Sequence, residues 1–471
     1  MSVFLHEGDC LDILNSMKAE SVDSVVTDPP YGIGMMGATW DAPWQVSSES
    51  KLFGKRERKM PGFGTTRNPT CQTCGGRLRG AKKCSCDEPN WDEAVQATHQ
   101  RQMSDFQDWC QQWAEEVYRV LKPGGHLLAF SGTRTYHRMV CGIEDAGFEV
   151  RDQIGWLYGS GFPKNLDVGK AIDSTLIHGN SHSTSLKKTN EDRPGDGRIG
   201  ASLPNNGVMS GDRRTNIVRD DPATEAAKQW QGWGTAIKPS WEPVCVARKP
   251  IGSTVALNVL KHGTGAINID GCRIETNENR DRPRGSFPHS DDAWGNGTLT
   301  HTEGSPLGRW PTNMIHDGSD EVMDAFPSTS SVTGQRSERS QMADVAGTNW
   351  LTTNHKSVEY TDSGSPARFF KTCEFTEEEQ ARRFIYCAKA SKSERNGSKH
   401  PTIKPVALMR YLCRLVTPKN GIVLDPFAGS GTTGQAAAEE GFNVILIERE
   451  AEYCRDIRSR LAMFIDYDTS R

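Results

Sequence analysis

The two ends of the chain alternate short, β-branched apolar runs with stretches of helical periodicity, and this alternation restricts the fold more than any other feature. Near the N-terminus, VFLHEGDC and SVDSVVTDPPY each run into an Asp, as buried parallel strands do. Between them Leu11, Ile13, Leu14 and Met17 fit a helix face. From Ser104 to Leu121 the residues Phe106, Trp109, Cys110, Trp113, Val117, Val120 and Leu121 keep helical spacing. Lys122-Pro123-Gly124-Gly125 ends that helix, and HLLAF opens another strand. A helix from Tyr136 to Ala146 leads into a strand, FEVRDQIGWLYG. The C-terminal block repeats the style. Val406, Leu408, Met409, Leu412, Leu415 and Val416 form a helix face, GIVLDPF a strand, Thr432 to Glu440 a helix, NVILIERE a strand, and Ala451 to Phe464 a last helix. This order predicts an α/β fold: a parallel sheet with helices on both faces.

The middle reads differently. From about 160 to 395 the chain is rich in Gly, Ser, Thr, Asn and Arg, and 174–225 and 280–308 show no period, as surface loops or disordered segments do. Islands of order interrupt it: the strand WEPVCVARKP near 241–248, NVLKHGTGAINIDGCRI, GRWPTNMIHDG and RRFIYCAKAS. The expected organisation is thus 1–160 and 396–471 as the two parts of the core, with 161–395 between them. Composition alone leaves that central region as either a set of solvated insertions or a substrate-recognition domain.

At 471 residues the chain is longer than one ordinary domain. Its mean hydropathy of −0.62 and the lack of any run of about 18 apolar residues exclude a membrane span. The opening MSVFLHEGDCLDIL has no basic, then apolar, leader pattern, so a cytoplasmic location is expected. A net charge of −4 gives no whole-chain basic face, and contact with a polyanion must come from local clusters of Lys and Arg.

Two motifs carry chemistry. Asp28-Pro29-Pro30-Tyr31 follows a strand directly, where open α/β sheets place their sites. Two prolines stiffen the loop, so it can present a carboxylate and a backbone carbonyl beside an aromatic ring. That combination suits an exocyclic amine, which has two N–H donors and a ring to stack; a plain proline turn with a surface Asp is the other reading. The second motif, Asp425-Pro426-Phe427-Ala428-Gly429-Ser430-Gly431-Thr432, lies between a strand and an Ala-rich helix. Its glycines let a ligand approach the backbone. Glu448 ends the next strand, seventeen residues after Gly431, and an acid there can hold ribose hydroxyls.

Together the two motifs resemble the signature pair of the S-adenosylmethionine-dependent DNA amino-methyltransferases, the N6-adenine/N4-cytosine family. The catalytic motif comes first and the cofactor loop last, as in the permuted β-type order. HEGDCLDIL, VLKPGGHLLAF, IGWLYGSGFPKN and KHPTIKPVALMRYL are similar to segments of that family, and WEPVCVARKP and GRWPTN to segments of phage-associated members. The resemblance implies a Rossmann-like methyltransferase sheet carrying a large central insertion for DNA target recognition; the small Cys-rich insertion at about 60–95 is not required by the family core. It implies that Asp28 and the Pro29 carbonyl accept from the target amine and that Tyr31 stacks on a flipped base. Phe427, Gly429 and Gly431 would shape the methionine pocket with Asp425 beside it. Glu448 would hold the ribose, Asp9 would lie near the adenine, and Lys404 near the cofactor.

Asp at the first position of the tetrapeptide is commoner in the family's adenine enzymes, so N6 of adenine in DNA is the expected target, with N4 of cytosine as the alternative. An inactive protein that binds DNA on a methyltransferase fold is a third reading, opposed by intact Asp28, Tyr31, Phe427, Gly431 and Glu448. Double-stranded DNA is the implied partner; a homodimer and a restriction endonuclease partner stay open.

Of the thirteen cysteines, Cys110, Cys141, Cys245 and Cys413 sit in apolar runs and read as small core residues in a reducing compartment. Cys71, Cys74, Cys84 and Cys86 form two pairs within sixteen residues of polar sequence, the pattern of a four-thiolate structural zinc site. Free thiols or redox pairing are the other readings. Arg77, Arg79, Lys82 and Lys83 beside them could rest on phosphates or only face solvent. Trp40 and Trp44 could line a base pocket or pack in the core, and Trp156 and Phe162 flank a Gly-rich loop that could face DNA.

Overall fold

The computed structural model describes residues 1–32, 73, 85–86, 92–159, 161, 165–178, 222–276, 282–284, 300–302, 305–331, 362–376 and 403–464. These fall into two compact units, one formed by 1–159 with 241–471 and the other by 160–240.

In the first unit, strand β1 (Val3–Glu7) is followed by helix α1 (Cys10–Ser16) and β2 (Val22–Thr27). Helix α2 (Asp92–Val120) begins earlier than its apolar face suggests and leads into β3 (Leu121–Phe130). Then come α3 (Tyr136–Asp145), β4 (Glu149–Leu157) and β5 (Trp241–Arg248). The C-terminal part adds the short strands Met314–His316 and Lys371–Thr372, helix Val406–Val416, strand Ile422–Asp425, helix Thr432–Glu439, strand Asn443–Glu448 and helix Ala451–Arg460.

These strands form one nine-stranded sheet in the order β1, Asn443–Glu448, Ile422–Asp425, β2, β3, β5, β4, Met314–His316, Lys371–Thr372. The two chain ends therefore share one sheet, with Ile422–Asp425 held between β2 and Asn443–Glu448. Neighbours are parallel except at β5, which runs antiparallel to both β3 and β4. The expectation of a wholly parallel sheet is corrected at this strand. Direction is set by how the chain re-enters the sheet, and β5 re-enters after residues 160–240 rather than through a crossover helix.

Side chains alternate across the sheet with period two. Val25, Leu127, Ala129, Cys245, Leu424 and Ile447 face α1, α2 and α3, where Leu14, Trp113 and Ile143 are fully buried. Val26, Leu128, Phe130, Val244, Val423 and Leu446 face the opposite way, against Leu408, Leu412, Ala436 and Ile457 of the C-terminal helices. Both faces are covered, which is why the strands read as continuous apolar runs. Gly142 lets α3 approach α2: a Cβ there would lie 2.8 Å from the Gln107 carbonyl oxygen and 2.9 Å from Gln111 N.

Three expectations change on this scaffold. Cys110, Cys245 and Cys413 are buried, but Cys141 is exposed, because its position on α3 turns it away from the sheet. Trp156 is core, its ring tilted against Tyr158 and Phe375, and does not face outward. Part of 280–308 is ordered as an antiparallel pair, Arg282–Arg284 with Thr300–Thr302. Cys71, Cys74, Cys84, Trp40, Trp44, Phe162, Arg77, Arg79, Lys82, Lys83 and RRFIYCAKAS lie outside the described residues; Cys86 is half-buried. Among the described residues no helix is long and apolar enough to cross a membrane.

The second unit holds helices Val168–His178 and Glu225–Gln229. Asp173 joins them, accepting from Thr224 Oγ1 at 2.7 Å and from the backbone of Ala223 and Thr224.

Candidate active site

Parallel strands bring their C-terminal ends to one edge of the sheet. Gly8 and Asp9 follow β1, Asp28 follows β2, and Asp425 and Glu448 end their own strands. An antiparallel strand contributes its start to the same edge, so Glu242 at the head of β5 arrives there too, opposite Trp156 of β4. Gly8, Asp9, Asp28, Asp425, Glu448 and Lys404 line an open cleft of about 1090 Å³ of empty space, open solvent included, and Glu242 stands behind Lys404.

On one side of the cleft stands the loop after β2. Its turn is pinned by Thr135, whose hydroxyl donates to the Tyr31 carbonyl at 2.7 Å. The Tyr31 hydroxyl donates to Asp28 Oδ1 at 2.7 Å. Burial, then the charges of Asp28 and Glu242, push the phenol well above its ordinary range, so Tyr31 stays a donor. Lys404 approaches Asp28 Oδ2 at 2.6 Å and Glu242 Oε2 at 3.3 Å. Burial lowers the Lys404 pKa, but Asp28 and Glu242 outweigh it and hold the amine above its ordinary value, as an ammonium.

The other side is the glycine loop. Asp425 is buried and fixes the loop's start: its Oδ1 accepts from Thr27 Oγ1 at 2.6 Å and from Phe427 N at 3.0 Å. Burial is the main reason its carboxyl is raised to about 6, against the opposing pull of Thr27 and Thr433. Gly429 and Gly431 both have positive φ, at 51° and 79°, conformations that disfavour other residues. Phe427 is clasped by Trp109 and Trp113 of α2, each with its ring centre 5.6 Å away.

Glu448 faces this loop from the next strand. Its Oε2 accepts from Gly429 N and its Oε1 from Glu450 N, both at 2.8 Å. Desolvation dominates these bonds, and the carboxyl is raised to about 7. Such a group gains when a ligand brings further donors to its oxygens.

All eleven residues expected in the catalytic and cofactor sites line this one cleft, except Gly431, which sits just behind it as the cap of helix Thr432–Glu439. Asp9 caps α1, accepting from Leu11 N at 3.0 Å, while also lining the cleft. Lys404 lies against the loop after β2, on Asp28. Sequence reasoning missed Trp109 and Tyr453 as lining residues and Glu242 as a partner of Lys404. An acid at the head of the apolar run WEPVCV was the available signal for Glu242. Among the described residues no group of three or more His, Cys, Asp or Glu is placed to hold a metal ion.

The profile of the N6/N4 DNA methylases matches residues 22–459, most of the chain. The chain belongs to this DNA methylase family. It is a DNA methyltransferase. The chain is 22% identical over 440 residues to the Type II methyltransferase M.HindIII of Haemophilus influenzae, covering 92% of this chain and 87% of that one. A shorter match, 43% identity over 70 residues, links it to the Type II methyltransferase M2.LlaDCHI of Lactococcus lactis subsp. cremoris, over 15% of this chain and 26% of that one. Among solved structures, the cytosine-N4-specific PvuII DNA methyltransferase aligns at 13% identity with a TM-score of 0.40, over 100% of this chain and 89% of that one.

Proposed function

We propose that this methyltransferase transfers a methyl group from S-adenosylmethionine to the exocyclic N6 amine of adenine in double-stranded DNA, at a specific sequence, with the base turned out of the helix. The observation that carries this reading is that the Asp28 carboxylate and the Gly429–Glu448 pocket open into one cleft. A reaction between an amine and an activated methyl needs its two partners side by side.

The pocket residues fit the cofactor. Glu448 is a buried acid with only backbone N–H donors on its oxygens, suited to the two ribose hydroxyls. Gly429 bares the backbone at the cleft for the methionine part, beside the apolar Phe427, and Gly431 lets the loop turn into its helix. Asp9 and Tyr453 line the cleft beside them. When bound, the cofactor supplies a methyl group activated by its sulfonium.

The chain's own residues do the rest by position and charge. An exocyclic amine is a poor nucleophile because its lone pair is delocalised into the base. Asp28 and the Pro29 carbonyl accept its two N–H bonds, which favours a pyramidal nitrogen with a free lone pair. Tyr31 holds Asp28 by its hydroxyl and offers its ring to the base. Asp28 or water takes the released proton. The base must leave the stack to reach so enclosed a carboxylate. The region 161–395 supplies target recognition in this reading, and Cys71, Cys74, Cys84 and Cys86 hold one structural zinc on the strength of their spacing. M.HindIII is a Type II methyltransferase; a restriction endonuclease partner for this chain stays open.

The test is to incubate the protein with S-adenosylmethionine and long unmethylated duplex DNA, digest, and identify modified nucleosides by mass. N6-methyladenine is expected, and N4-methylcytosine would transfer the mechanism to the other amine. Asp28→Ala should abolish turnover and leave cofactor binding nearly intact; retained turnover refutes the assignment of Asp28.

A further inference from the structure

The Lys404 ammonium is buried, with its side chain 7% exposed, and has three N–H donors. These meet Asp28 Oδ2 at 2.6 Å, the Tyr31 hydroxyl oxygen at 3.0 Å and Glu242 Oε2 at 3.3 Å. The Phe130 and Tyr31 rings lie 4.8 and 5.4 Å from the nitrogen. One cation is therefore shared between two carboxylates inside an aromatic wall, and the cluster carries one net negative charge.

Without Glu242, Asp28 and Lys404 would form a one-to-one pair of low exposure, and breaking such a pair is costly. A neutral target amine would then have to compete with a full cation for the Asp28 oxygens. With Glu242 present, the ammonium keeps a carboxylate partner while the amine takes its place on Asp28.

We infer that Glu242 is a positioning residue for methyl transfer: it draws the Lys404 ammonium away from Asp28 when the target amine arrives, leaving Asp28 free to accept. The inference rests on Asp28 being the amine acceptor. Nothing in the strand's own sequence assigns this role, and it depends on β5 running against its neighbours so that its first residues reach Lys404.

The experiment is a steady-state comparison of the wild type with Glu242→Gln, Glu242→Asp, Lys404→Met and the double variant Glu242→Gln/Lys404→Met. It uses S-adenosylmethionine and long unmethylated duplex DNA, with the cofactor Kd measured on each protein. Glu242→Gln should lower kcat on the order of tenfold with the cofactor Kd unchanged. Glu242→Asp should recover most of that loss. In the Lys404→Met background the Gln substitution should cost nothing further, because no ammonium is left to draw away. Full turnover in Glu242→Gln, or an equal and independent loss in the Lys404→Met background, overturns the inference. So does a loss of cofactor binding that accounts for the lost turnover. An inactive Asp28→Ala beside a fully active Glu242→Gln refutes this inference alone, whereas an active Asp28→Ala refutes the assignment beneath it.

Discussion

Replacing Glu448 by Gln gives a test of the proposed cofactor pocket that needs no DNA. The Glu448 carboxyl rises from an ordinary value of 4.5 to about 7 in the fold, with burial as the largest cause. A shift of that size corresponds to roughly 3 kcal/mol of differential stability. The sign follows from linkage. Because the folded value lies above the unfolded one, the protonated acid favours the fold fully below about pH 4.5. That advantage is lost as the pH rises through about 7. Gln cannot ionise, so this part of the pH dependence should vanish. Gln also has only one acceptor oxygen for the two amides that Glu448 now serves, from Gly429 and Glu450. That leaves one N–H short of a partner, at about 1–3 kcal/mol, an offset that does not change with pH. Urea unfolding of the cofactor-free wild type and variant should therefore show the variant gaining on the wild type by roughly 3 kcal/mol between pH 4.5 and 8. Cofactor must be absent, since its binding adds its own stabilisation. Ribose hydroxyls that donate to Glu448 prefer the ionised form, so cofactor affinity of the wild type should rise through pH 7 and that of the variant should stay flat. Parallel stability curves across the window would refute the reasoning, because they would mean that Glu448 does not feel its burial.

Three further outcomes follow from particular contacts. Gly142→Ala would set a Cβ against the backbone of α2 at Gln107 and Gln111 and should cost about 1–3 kcal/mol; an unchanged unfolding midpoint would contradict the close helix approach. Gly431→Ala would force a side chain to φ 79° and to 3.0 Å from Ile457 Cγ1. It should cost about 1–2 kcal/mol of strain and weaken cofactor binding, and calorimetry showing wild-type affinity would reject the glycine requirement of this loop. Metal analysis of gently purified protein should find about one zinc per chain, lost when Cys71 and Cys74 are both replaced by Ser; metal-free protein would leave the four cysteines as thiols.

Much of the site was legible because its physics is local. A β-branched run that ends in Asp28-Pro29-Pro30-Tyr31 is already a strand, a stiff turn and a presented carboxylate, whatever surrounds it. The same holds for Asp425 to Thr432, where glycines at the strand-to-helix junction and an acid after the next strand state their geometry within about two dozen residues. The helix from Phe106 to Val120 was visible as one apolar stripe, but its upstream turns to Asp92 were not, since no apolar face marks them.

What the sequence could not state were relations between distant segments. Asp28 and Lys404 are 376 positions apart, and Tyr31 and Glu242 are 211 apart. Neither pairing follows from any local pattern. The exposure of Cys141 and the burial of Trp156 were likewise decided by which side of an element meets the sheet. Strand direction was the largest gap, because an apolar run reads the same parallel or antiparallel. The sequence by itself determined the chemistry available: an acid on a proline turn, a bare glycine loop, and a strand-ending acid. The tertiary structure decided which charges share that chemistry, because sheet order and the reversed β5 determine which strand ends meet at one edge.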